Sequence, residues 1–359
     1  MSESALLQDA ASRVFADFYD NDRLNKARQA GWCPELWAAL EETGLTLISV
    51  PESAGGPGAS VVDAAEVLRL AGKYCASVPL AETALLAGWA LAGAGIAVPG
   101  GPLAFAMTGA ANQVELSRRE GAWRLTGSLD HVPWGRHATA TVLVAASDAG
   151  SKVICAPASL YQVEPHANMA GEARDRIVFN DAKLGDAQVR ESESITADRA
   201  LQRGALARSV QISGAPDRVL EMTLEYTKQR AQFGRPIIKF QAVQQELARL
   251  AGEAAIARAS AMAAAAAVMT DSKADMAVAF AKIKTGEAAQ AGASIAHQLH
   301  GAIGVTDEYL LHHSTLRLWA WRSEYGSEAY WAERLGAYAL SRGSALVWDE
   351  ITDTTSSHL

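Results

Sequence analysis

Residues 230–237 read Arg230-Ala231-Gln232-Phe233-Gly234-Arg235-Pro236-Ile237, with Phe240-Gln241-Ala242-Val243-Gln244 close behind. Gly234 lets the chain turn sharply, and Pro236 marks the start of the next helix, where a proline's missing N–H costs nothing. This stretch therefore reads as a break between two helices. On its N-terminal side the apolar period is helical over about 200–229, and on its C-terminal side over about 237–268. A further helix is expected near 274–299, after a break and N-cap at Asp271-Ser272. It runs into Gln298-Leu299-His300-Gly301-Ala302-Ile303-Gly304, where the glycines end it. Shorter helices follow near 308–319, capped by Thr306, and near 323–342.

Upstream the pattern changes. Trp123-Arg124-Leu125-Thr126 alternates, Thr139–Ala146 is rich in β-branched residues, and Lys152–Ala156 and Arg176–Phe179 are similar short runs between turn residues. Before the Pro-Gly cluster at 99–102 the period is helical again: residues 4–19, a segment opened by Pro34 and closed by Gly44, and a stretch from Ser60 to about Ala94. The expectation is an α+β chain in three parts. An N-terminal helical domain spans 1–99, a barrel-like middle β-domain 100–197, and a C-terminal antiparallel helical bundle 198–359.

Composition narrows the function. A formal net charge of −8 argues against a nucleic-acid binder, which needs a basic face. No run of 18 or more apolar residues is free of polar ones, so no membrane span is expected. The first 18 residues carry acids early and do not read as a leader. Three scattered cysteines (Cys33, Cys75, Cys155) form no CxxC pair, which fits a reducing, cytoplasmic setting. His312-His313 is the one pair that suggests a metal. Adjacent side chains on a helix diverge by about 100°, and no acidic or Cys partner sits at ligand spacing, so no metal is expected.

The 230–244 and 298–304 strings, in this order and spacing, resemble the two flavin-contacting segments of the acyl-CoA dehydrogenase family. The loop Val50-Pro51-Glu52 with Gly55-Gly56 and Gly58 resembles that family's turn between early helices. The resemblance covers about residues 30–340. It implies FAD as cofactor, an acyl-CoA thioester as substrate, and α,β-dehydrogenation to the 2-enoyl-CoA, with electrons passing to an electron-transfer flavoprotein. It also implies that these segments reach across a subunit boundary. The residue types suit that role. The guanidinium of Arg230 can bond two pyrophosphate oxygens at once. Phe233 offers a face to adenine. Gln241 and Gln298 can hydrogen-bond the phosphate and adenine edge, and Gly301 with its neighbours exposes backbone N–H groups. Gln232, Ile237, Leu299 and Ala302 complete the expected cofactor set.

The catalytic base is another matter. Removing the α-proton calls for a carboxylate, ionised at neutral pH. One group of the family places its glutamate 27 residues beyond the Gln of the glycine segment, which here is Tyr325, followed by Gly326-Ser327. A tyrosine with a pKa of about 10 is ionised to about one part in a thousand at pH 7. Another group places it 26 residues before the Arg of the first string, which here is Gly204. Glu324 adjoins the first position and is the one catalytic candidate. The family's flavin seat in the middle domain is altered too. Ala106-Met107-Thr108 survives, but Gly109-Ala110-Ala111-Asn112-Gln113 follows it, and His131 and Pro133 stand where relatives often have a Trp and a Thr.

The half that reaches a neighbour therefore looks intact and the half that faces its own flavin looks degraded. This resembles the base-lacking subunit of heterotetrameric bacterial acyl-CoA dehydrogenases, whose partner is a paralogous subunit carrying the base. The known examples act on bulky acyl-CoA such as steroid side chains. Two rivals stand beside it: a self-sufficient homotetrameric dehydrogenase using Glu324 or an unplaced acid, and a flavin-free assembly or acyl-CoA-binding subunit.

Overall fold

The computed structural model describes residues 3–109, 112–147, 150–270 and 273–343. The expected break at Asp271-Ser272 lies outside them. The chain opens with α1 (Glu3–Asp17), α2 (Asn21–Ala30), α3 (Pro34–Glu42) and α4 (Val61–Lys73), then a π-helical turn (Ala81–Ala87) leading into α5 (Gly88–Gly93). Ser60 and Asp63 start α4 with reciprocal side chain to backbone bonds, which satisfy amides that have no partner in the helix. The helix expected from Ser60 to Ala94 is broken after Lys73. Cys75 takes a left-handed φ of 54°, and Pro79 disfavours helical geometry at the residue before it.

Eight strands follow: β1 (Leu103–Met107), β2 (Gln113–Arg119), β3 (Ala122–Pro133), β4 (Ala140–Ser147), β5 (Gly150–Pro157), β6 (Gln162–Glu164), β7 (Arg174–Leu184) and β8 (Val189–Ser192). They form two four-stranded sheets, ordered β1-β4-β5-β8 and β2-β3-β7-β6, rather than one closed barrel. Leu143 and Ile154 of the first sheet and Leu125, Leu129, Ile177 and Phe179 of the second meet in one buried cluster.

The rest is helical. α6 (Ala197–Gln229) is capped by Thr196 and runs to a two-stranded hairpin, β9 (Ala231–Gln232) and β10 (Arg235–Pro236). Then come α7 (Gln241–Thr270), α8 (Ala274–His300), α9 (Leu311–Trp321) and α10 (Glu328–Arg342). Two expected starts shift. Pro236 closes the hairpin and α7 begins at Gln241, because the tight turn consumes residues 231–236. Thr306 ends a 3-10 turn (Gly301–Val305), and α9 begins only at Leu311. α6 is the axis of the chain: Ala205, Leu206 and Val210 pack with the N-terminal helices, and Ile212, Ala215 and Val219 pack with Leu311, Leu318 and Trp321. No helix among the described residues is long and apolar enough to cross a membrane.

Candidate cofactor clamp and catalytic cleft

At the end of α6 the backbone leaves the helix at Arg230, with φ −69° and ψ 115°. Phe233 (φ 53°) and Gly234 (φ 78°) form the turn of the hairpin, and the Ile237 N–H bonds the Arg230 carbonyl at 2.8 Å. Two left-handed residues suit a two-residue hairpin, but a phenylalanine there costs about 1–2 kcal/mol. Phe233 is also 91% exposed, with only Phe240 against its edge at 6.1 Å. A strained backbone that presents an aromatic ring to solvent marks Phe233 as a candidate contact residue.

The end of α8 is bound to this corner. Tyr226, one turn before Arg230, stacks on His300 at 4.5 Å and donates its hydroxyl to the His300 carbonyl at 3.1 Å. Beyond His300, Gly301 takes φ 65° and ψ −146°, which a residue with a Cβ avoids. The structure thus joins the two segments that the sequence singled out. Arg230, Gln232, Phe233, Gln241, Gln298, Gly301 and Ala302 are exposed, and Ile237 and Leu299 are half-buried. The Arg230 guanidinium has no ion-pair or hydrogen-bond partner among the described residues. A free guanidinium, an uncovered ring and a glycine-bent backbone suit the dinucleotide of a flavin.

The catalytic cleft lies elsewhere, between the ends of β1 and β3 and the connection from α9 to α10. It is a cavity of about 670 Å³ lined by Met107, Asn112, His131, Pro133, Trp319, Glu324 and Tyr325, among others. Gly204 and Tyr325, the two positions at which the resemblance leads one to expect a base, face each other here. A Cβ on Gly204 would lie 2.1 Å from the Tyr325 ring, so the ring occupies the space that a side chain at position 204 would need. Burial raises the Tyr325 hydroxyl pKa far above its ordinary value, and no carboxylate stands at either position.

Glu324 is present but engaged. Arg174 Nε reaches its Oε1 at 2.8 Å and Arg208 Nε its Oε2 at 2.6 Å. Burial alone would raise its pKa, yet the two guanidiniums hold it down at about 2. A carboxylate so stabilised has little tendency to take a proton, which argues against Glu324 as the base. The pair continues into a buried chain of alternating charge. Arg208 also bonds Glu82, which accepts from Trp134 Nε1 at 3.1 Å. Arg174 also bonds Glu172, which accepts from Arg317 at 3.2 Å and Trp321 at 2.8 Å. Three acids and three arginines thereby tie the π-helical turn, the strand end and the C-terminal helices together. The sequence reading missed this chain, because partners such as Arg208 and Glu324 lie more than a hundred positions apart and no local pattern marks them.

The flavin seat of the cleft differs from that of the clamp. Thr108 accepts from the Ala146 N–H at 3.1 Å and extends the sheet. Pro133 lines the cleft without an N–H to offer, and His131 stands at its rim with a φ of 56°. The Asn112 side chain bonds both the Met107 carbonyl and the Asp130 N–H. Contrary to the expected divergence, the buried His312 and His313 rings lie 4.0 Å apart, and burial with nearby Arg317 pushes His313 down to about 3. No group of three or more His, Cys, Asp or Glu among the described residues is placed to hold a metal.

Comparison with known proteins agrees with this geometry. Residues 1–97 match the acyl-CoA dehydrogenase N-terminal domain and residues 195–335 the acyl-CoA dehydrogenase C-terminal domain. The chain is 32% identical over 304 residues to the acyl-CoA dehydrogenase FadE27 of Mycobacterium tuberculosis, covering 77% of this chain and 80% of the relative. It is 31% identical over 292 residues to the acyl-CoA dehydrogenase IpdE2 of the same organism, covering 81% and 82%. Among solved structures it resembles the ChsE4-ChsE5 complex of Mycobacterium tuberculosis, with a TM-score of 0.87, 26% identity and coverage of 96% and 98%. It also resembles a Tcur3481-Tcur3483 steroid ACAD, with a TM-score of 0.84, 25% identity and coverage of 96% and 99%. The chain therefore belongs to the acyl-CoA dehydrogenase family, FAD-dependent oxidoreductases that act on the CH–CH bond of acyl-CoA thioesters.

Proposed function

We propose that this chain is the base-lacking subunit of a heteromeric acyl-CoA dehydrogenase, and that its clamp grips an FAD seated in a paralogous partner. The observation that carries the reading is that Gly204 and the Tyr325 ring pack against each other, with a glycine and a tyrosine at the two positions where the resemblance calls for a carboxylate. The free Arg230 guanidinium and the uncovered Phe233 support the other half of it. Two-component complexes and a steroid enzyme among the structural relatives favour a paired assembly and a bulky acyl-CoA, such as one bearing a steroid side chain.

In this reading Arg230 holds the pyrophosphate with two parallel N–H donors, and Phe233 covers the adenine. Gln241 and Gln298 bond the polar edges, the backbone at Gly301 and Ala302 supplies N–H groups, and Ile237 and Leu299 give the apolar floor. Bound there, the flavin supplies the hydride acceptor for the β-carbon. The α-proton goes to a carboxylate of the partner subunit, and electrons leave to an electron-transfer flavoprotein. The setting is the bacterial cytoplasm.

Arg230→Ala in the co-expressed complex tests the clamp. Losing a charge-assisted hydrogen bond costs about 1.5–3 kcal/mol, or roughly a 10- to 150-fold weaker hold on FAD. Arg230→Lys recovers only part of it, because an ammonium cannot bond two oxygens in the same plane. Unchanged FAD retention on gel filtration refutes the clamp. A yellow homotetramer of this chain alone that oxidises an acyl-CoA refutes the pairing.

A further inference from the structure

Asn112 occupies an unusual place in the cleft. Its side-chain amide donates to the Met107 carbonyl at 3.0 Å, and its side-chain carbonyl accepts from the Asp130 N–H at 2.7 Å. Met107 ends β1 in one sheet and Asp130 belongs to β3 in the other, so this one side chain staples the two sheets where they border the cavity. Its own backbone is fixed by a pair of 3.2 Å bonds with Gly109, which hold the side chain in place. Asn112 also lines a second recess, of about 640 Å³, shared with Thr108, Ala146 and Lys152. It is thus a wall between two open volumes.

The chemistry of the staple is specific. A primary carboxamide presents one C=O and one N–H side by side. The pyrimidine edge of an isoalloxazine presents the same adjacent pair, a ring carbonyl beside the N3–H. A free backbone carbonyl and a free backbone N–H facing the same cleft are the groups that such an edge would seek, because each main-chain donor and acceptor needs a matching partner when a ligand displaces water from it. In this chain Asn112 has already met that requirement from within. We propose that Asn112 is a bolt that mimics the flavin edge, satisfies the backbone groups of Met107 and Asp130 in its place, and so closes the chain's own cleft to a flavin ring. The inference rests on the reading that this subunit grips its partner's flavin and seats none of its own. It adds the residue that enforces that division.

The test uses the full chain carrying Arg230→Ala, which silences the clamp, and riboflavin as the probe, since it has the pyrimidine edge but no phosphate. With Asn112 present, quenching of riboflavin fluorescence shows no saturable binding. Asn112→Ala on the same background frees both backbone groups and gains saturable binding, tighter by about tenfold or more for two hydrogen bonds released to the ligand. Equal riboflavin binding with and without Asn112 overturns the bolt and leaves the clamp, which is judged by FAD retention in the Arg230→Ala complex, untouched. A second measurement needs no variant. In the unmodified chain the Asp130 amide exchanges slowly with solvent, and rapid exchange there overturns the staple itself.

Discussion

Replacing Glu324 by Gln separates a structural acid from a catalytic one. The side chain is 19% exposed and lies between Arg174 and Arg208, whose side chains are 6% and 1% exposed. A carboxyl held at about 2 instead of its ordinary 4.5 contributes about 3 kcal/mol to stability at neutral pH. Breaking a buried pair by removing one charged partner costs about 3–5 kcal/mol, so two independent routes agree. For a chain of this size that corresponds to a melting temperature lower by about 4–7 °C. The sign with pH follows from the depressed folded value. The stabilisation is complete above the unfolded value and fades as pH falls from about 4.5 towards 2, so the two melting curves converge in acid. Calorimetry of both proteins between pH 7 and pH 3 measures this. A Glu324→Gln variant that melts like the parent at pH 7, yet loses turnover while keeping its flavin, would refute the structural assignment and restore Glu324 as a base.

Two further outcomes are expected. Gly204→Ala drives a methyl group into the Tyr325 ring and costs about 1–3 kcal/mol in denaturant unfolding; adding Tyr325→Ala removes most of the strain, so the two changes are strongly non-additive. Additive losses would mean that the two residues are not in contact. His313 is buried with both ring nitrogens unpartnered and held at about 3. The unfolded chain therefore binds a proton that the folded chain refuses, and stability falls by about 1.4 kcal/mol per pH unit below roughly 6.5. His313→Phe flattens that part of the pH profile, and an unchanged slope would assign the acid sensitivity to another group.

The local patterns of the sequence were enough for the order of helices and strands and for the two segments that the fold brings together at Arg230 and Gly301. Arg230, Phe233 and Gly234 sit within one turn, and a guanidinium, a ring and a glycine keep their chemistry whatever surrounds them. The absence of an acid at positions 204 and 325 was legible as well, because spacing along a helix and its following loop is a local property. Other features depended on distant parts of the chain meeting. Nothing near Glu324 in sequence announces that Arg174 and Arg208 will neutralise it, and its suitability as a base turned on those two charges. Asn112 stood out in sequence only as part of an altered loop after Thr108, and two sheets brought Met107 and Asp130 to its amide. The histidine pair failed for the same reason, since the expected divergence of neighbouring side chains gave way to the burial that presses both rings inward. Sequence alone determined which groups this protein owns and the elements that carry them. Tertiary structure decided which charges are free and which backbone groups are already satisfied, because electrostatic and hydrogen-bonding partners are chosen by proximity in space.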